Sequence, residues 1–218
     1  MLLIGIGEEL SAYRTEQKEE VSCFAESLAC SQKLLDSPVR EFYKKLAELV
    51  GDKPYFIISM NTDDLIYKID GLDCTKIVTP CGSMLKYQCG EHILDEKESL
   101  DICREVTEKK DPSLAVCPIC HKELRPHLIS WEGYLEEGYL PQWQAYTKWL
   151  SRTLNRKLCV LELGVSFRFP QVIRWPFEKT VLYNKKATLI RVHSQFPQIP
   201  DNIADKAIAV KENPLSWL

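Results

Sequence analysis

Two short knuckles, Cys89-x-x-His92 and Cys117-x-x-Cys120, stand 24 residues apart near the middle of the chain. Each offers two ligands from one tight turn, and four soft or borderline donors at this spacing suit a tetrahedral zinc with no open position. The pattern constrains the fold because it requires two separated turns to meet at one point. Cys103 and His121 are further donors nearby and stand as alternatives to His92. The competing reading is a set of free buried thiols, since unpaired cysteine packs well in apolar surroundings. A structural zinc would hold this segment folded, and a chelator would loosen it.

The segment around the knuckles, residues 84–127, is polar, shows little periodicity and holds four of the nine cysteines. It reads as an insert organised by metal rather than by a core. Strand candidates lie on both sides of it. Residues 2–7 form a short apolar run into a Gly-x-Gly turn, and 55–59 is continuously apolar, as in a strand buried on both faces of a parallel sheet. Further strands are expected at 76–79, 158–163, 188–192 and 207–210. Helical patterns fall at 15–35, 39–50, about 62–68 and 140–155. Strands alternating with helices imply an α/β fold with a parallel sheet, helices on both faces and right-handed crossovers.

The 218 residues are 45% apolar and 27% charged, which suits a globular domain carrying a small insert. A net charge of −3 lacks the basic footprint of a nucleic-acid binder. No apolar run reaches the roughly 18 residues that span a bilayer. The start, MLLIGIGEEL, is short for a signal peptide and has no basic lead, so a cytoplasmic location is expected. In that compartment closely spaced cysteines read as metal ligands rather than bridges.

Several segments, in order, resemble the sirtuins. Ser59-Met-Asn-Thr-Asp-Asp-Leu65 resembles the family's Thr-Gln-Asn-x-Asp-Gly-Leu stretch at a strand end. Residues 78–89, VTPCGSMLKYQC, resemble the loop in which His-Gly-Ser leads into the first zinc knuckle. Residues 117–127, CPICHKELRPH, resemble the second knuckle running into Leu-Arg-Pro. Residues 161–166, 173–178 and 187–192 are similar to the C-terminal half of the family's Rossmann domain, in wording nearest the bacterial macrodomain-linked branch. The resemblance implies a Rossmann-like domain, residues 1–83 and 128–218, with a zinc-binding module inserted at 84–127. It also implies NAD as cofactor, cleaved at its nicotinamide bond, and a protein acceptor.

Residue by residue, the resemblance assigns Asn61 and Asp63 to the nicotinamide-ribose region, with Ser59 opening the same motif. The other reading of Asp63 is a charge that satisfies free amides at a helix start. Gly5 and Gly7 match the family's phosphate loop, although Glu8 and Glu9 then set carboxylates where the pyrophosphate would lie, a repulsive arrangement. Tyr13-Arg14 is a remnant of the long loop that follows in the family. Gly164 and Ser166 match the strand end that meets ribose or phosphate, Ser166 alternatively capping the next turn. His193 stands where an asparagine meets the adenosine ribose, or is a solvated loop residue.

Cys81 takes the place of the family's general-base histidine, and a thiol is a poor base near neutrality. The macrodomain-linked branch carries glutamine there, and its resemblance implies ADP-ribosyl transfer rather than ordinary deacetylation. The bland reading of Cys81 is a small buried loop residue. Two functions therefore stand open. One is an NAD-dependent protein-modifying enzyme, by ADP-ribosyl transfer or atypical deacylation. The other is an inactive sirtuin-like protein that binds a nucleotide such as ADP-ribose, or a protein partner. Behind these two stands a third reading, a thiol redox sensor centred on Cys81. None calls for a membrane or a nucleic acid.

Overall fold

The computed structural model of the chain describes residues 1–12 and 20–218. Tyr13, Arg14 and the start of the helix expected from residue 15 lie outside the described residues. Strand β1 (Leu2–Ile6) pairs in parallel with β2 (Tyr55–Ser59) on one side. After β3 (Ile77–Val78) come two strands of the small module, β4 (Gly82–Gln88) and β5 (Arg125–Leu128). The chain then returns to the other side of β1 as β6 (Leu158–Leu163), followed by β7 (Ala187–Val192) and β8 (Ala207–Val210). The main sheet thus has six parallel strands in the order β3-β2-β1-β6-β7-β8.

Both faces of this sheet are covered, which is why its strands read as unbroken apolar runs. Ile4, Ile6 and Ile57 pack beneath α2 (Pro38–Val50), which buries Val39, Phe42, Tyr43, Leu46 and Val50. Ser37 caps that helix by accepting from the Val39 amide, and Pro38 sits in its first turn, where a missing N–H is harmless. Leu3, Phe56, Ile58 and Val160 face the opposite side. There α4 (Leu140–Ser151) contributes Tyr146, and α5 (Arg174–Tyr183) contributes Phe177 and Val181. The helical patterns of the sequence do not include α5. Pro176 falls in the first turn and is accommodated there.

The small module departs from the expectation of a coreless insert. Strands β4 and β5 pair antiparallel, and α3 (Glu96–Lys109), capped by Asp95, packs on β4. Tyr87, Leu94, Cys103, Val106 and Leu124 form a core with Phe24, which comes from α1 (Glu20–Lys33). Phe24 stacks on Tyr87 at 5.1 Å between ring centroids. The segment's own composition hides this core because it is completed by Phe24, lent by a helix from outside. Among the described residues no helix is long and apolar enough to cross a membrane.

Candidate functional site

Strand order reverses between β1 and β6, and in open α/β sheets the crevice at such a switch, beyond the strands' carboxyl ends, is where ligands bind. A cavity of about 420 Å³ lies there, its wall including Glu8, Glu9, Asn61, Cys81, Ser166 and His193. The loops that follow four neighbouring strands of the sheet supply its polar groups. Asn61, after β2, donates from Nδ2 to the Leu10 carbonyl (2.9 Å) and the Tyr43 hydroxyl (3.1 Å). Its Oδ1 is buried without a hydrogen-bond partner. At 4% exposure this amide is fixed in place with one acceptor unspent.

Cys81 is 4% exposed at the cavity wall. Burial pushes its thiol up to about 12, Glu8 adds to the rise, and Arg168 opposes it. The side chain is therefore a neutral thiol near pH 7. The chain turns sharply after it: Gly82 has φ +88°, and a Cβ there would collide with the His127 carbonyl. Only glycine fits this turn.

Ser166, after β6, and Ser194, after β7, hold the two glutamates of the β1 loop. Ser166 donates to Glu8 from its hydroxyl (3.0 Å) and its amide (3.4 Å). Ser194 donates to Glu9 from its amide (3.2 Å) and, through a very short contact, from its hydroxyl. Ser166 Oγ also accepts from the Arg168 amide, so it caps the next turn as well as facing the cavity. His193 is 4% exposed and is no solvated loop residue. Its Nδ1 accepts from the amides of Gln195 (3.0 Å) and Phe196 (3.1 Å). A nitrogen accepting two N–H groups carries no proton, so the 3.4 Å approach of Glu9 is no ion pair. Burial lowers the His193 pKa in the same sense, against the pull of Glu9.

The remaining motif residues stand outside the cavity wall. Gly5 lies under Ile173 and Phe177, where any Cβ would clash. Gly7 packs against the backbone of Gly164 and Val165, and Gly164 against Glu9. These glycines let β1, β6 and α5 approach closely. Ser59 is fully buried and accepts from the Asn61 amide. Asp63 accepts from the Ala12 amide (2.8 Å) and the Leu65 amide (3.0 Å), tying the β1 loop to the β2 loop. Arg168 and Gln195 line the cavity without having been singled out in the sequence. Their signal was position alone, each two residues beyond Ser166 or His193.

The knuckle residues meet. Cys89 Sγ, His92 Nδ1, Cys117 Sγ and Cys120 Sγ all lie within 4.8 Å of one another. The closest separations are 3.5 Å for Cys89 to both His92 and Cys120, and 3.8 Å for Cys117 to His92. Bonds of about 2.3 Å to sulfur and 2.0–2.1 Å to nitrogen require edges of about 3.4–3.8 Å in a tetrahedron, so the set fits a zinc ion. Cys103 instead sits in the α3 core beside Tyr87, and His121 is exposed and outside the quartet.

No family model matches the chain. It is 26% identical over 188 residues to a protein ADP-ribosyltransferase of Staphylococcus aureus, covering 82% of this chain and 59% of that protein. It is 31% identical over 158 residues to a probable bifunctional ADP-ribose hydrolase/ADP-ribosyltransferase of Fusarium oxysporum, covering 63% of this chain and 25% of that one. The chain therefore spans about three fifths of the first relative and a quarter of the second. Among solved structures, Sir2 bound to an acetylated peptide superposes with a TM-score of 0.61 at 15% identity, covering 100% of this chain and 90% of that one. Sir2 with a p53 peptide and NAD gives 0.60, with the same identity and coverage. The six-stranded parallel sheet, its switch-point cavity and its inserted knuckles give this chain the sirtuin fold.

Proposed function

We propose that this protein transfers ADP-ribose from NAD to a protein acceptor. The observation that carries the reading is the switch-point cavity, where Asn61, Cys81 and the loops after β6 and β7 converge. The names of the two relatives and the NAD and peptide held by the structural neighbours support it. Bound there, NAD would supply a glycosidic bond whose cleavage frees nicotinamide. The unspent Oδ1 of Asn61 fits an amide or hydroxyl donor on such a ligand. Asp63 orients the loops around it. Cys81, in the position the resemblance gives to a histidine base, keeps its proton and acts as an apolar wall. That disfavours deacylation, which needs a base at this point. The pyrophosphate end fits less well, because Glu8 and Glu9 occupy the donors of Ser166 and Ser194. This observation favours the second reading, an inactive sirtuin-like protein that binds nucleotide or protein. Zinc held by Cys89, His92, Cys117 and Cys120 would keep the small module folded against the cavity and take no part in the chemistry.

The test is nicotinamide release and labelling of protein acceptors from tagged NAD by the zinc-loaded protein. Nicotinamide release with a labelled acceptor is the expected result. Neither binding nor nicotinamide release at millimolar NAD would leave the inactive binding module as the working view.

A further inference from the structure

The donors facing Glu8 and Glu9 have the character of an anion site. Four of them, the amide and hydroxyl of Ser166 and of Ser194, sit just past the ends of β6 and β7 and converge on two carboxylates. Backbone N–H groups turned together at such a crevice form a cradle for phosphate or carboxylate oxygens. A cation stands beside them: Arg168 lines the same cavity, is exposed, and makes no ion pair among the described residues. It does feel the site, since it opposes Glu8 in setting the Cys81 thiol.

Glu8 is held unevenly. Its Oε2 takes both Ser166 donors, while its Oε1 is buried with no partner. An oxygen that has lost water and gained nothing marks a carboxylate easily displaced from that place. The backbone below is firmly set. The Glu9 amide donates to the Gly164 carbonyl, Gly7 lies against Gly164 and Val165, and Leu10 is fully buried. Rotation of the two side chains alone would free the four donors; Ser166 lines the cavity, and Ser194 lies between His193 and Gln195, which line it.

We propose that Glu8 and Glu9 are built-in stand-ins for a pyrophosphate. They occupy the protein's own anion site, so the pocket at rest accepts a phosphate-free nucleoside and admits a dinucleotide only when the two carboxylates swing out. Arg168 then meets the incoming phosphates. The proposal rests on the reading of this cavity as a nucleotide site, and it makes Glu8 and Glu9 the residues that set ligand class.

The test compares the zinc-loaded full chain with the double variants Glu8→Ala/Glu9→Ala and Glu8→Gln/Glu9→Gln. The Gln pair covers the case in which the Ala pair does not fold. Adenosine and ADP-ribose are titrated calorimetrically into each. At least about a tenfold gain in ADP-ribose affinity is expected in the variants, with adenosine within about twofold of the parent. Equal or weaker ADP-ribose binding by the folded variants, or no ADP-ribose binding by any chain, overturns the proposal. Nicotinamide release separates the two claims. Turnover by the parent with no affinity gain in the variants defeats the stand-ins and spares the transferase. An affinity gain without turnover in any chain does the reverse.

Discussion

At the scale of the residue, burial decides what Cys81 can do. A thiol pushed up to about 12 is ionised near neutrality on the order of once in a hundred thousand molecules. Alkylation by iodoacetamide, followed by peptide mass spectrometry, should label the exposed Cys74 long before Cys81. Preferential labelling of Cys81 would instead revive a redox role. Asp64 offers a second case. It is 5% exposed, and burial pushes its carboxyl up to about 6 despite a 2.6 Å hydrogen bond from Ser83. Since its folded pKa lies above the unfolded one, its stabilising contribution is full below about pH 4 and is lost as pH rises through about 6. Asp64→Asn keeps the left-handed backbone, φ 56°, that asparagine tolerates. Thermal melts across pH should find the variant more stable than the parent at neutral pH, by up to about 3 kcal/mol, and the advantage gone near pH 4. Neither property was legible in the sequence, because both arise from what the fold packs around the group.

At the scale of the element, the small module rests on two supports that the sequence disclosed unequally. The knuckles were plain, because ligand spacing is a local signal that survives without a fold. Atomic absorption on the purified protein should find one zinc per chain. His92→Ala should abolish it, and His92→Cys should retain it as a fourth thiolate. The other support was hidden. α3 contributes only scattered apolar positions such as Cys103 and Val106, and its core is completed by Phe24 from α1, more than sixty residues earlier in the chain. Phe24→Ala should cost about 3–5 kcal/mol, read by denaturant melts, and should speed zinc loss to a chelator. Unchanged release of zinc would show that the ligands alone hold the module.

At the scale of the molecule, most of the sheet could be read from sequence, because strands buried on both faces announce themselves as apolar runs. The strand order and the cavity could not, since they depend on which distant strands become neighbours. One group of polar residues was equally silent. Glu162 of β6 lies between Arg191 (2.7 Å) and Arg174 (3.5 Å), all three 1% exposed or less, and Glu178 joins through Arg191. The arginines also hold the loops of the cavity: Arg174 donates to the Val165 and Phe196 carbonyls, and Arg191 to that of Gln198. Glu162→Gln would leave two guanidinium groups buried without their shared counter-charge. It should cost about 3–5 kcal/mol, measured by chemical denaturation.

The position of β1 bears on how the chain reaches this structure. Strand β1 occupies the centre of the sheet, and one of its edges waits for Leu158–Leu163. During synthesis β1 can pair with β2 early, yet its other row of amides and carbonyls stays open while about a hundred residues are added. That strand edge stays unpaired until Leu158–Leu163 has been made. The sheet cannot close around β1 before β6 exists, and chaperone dependence should rise whenever translation slows before it.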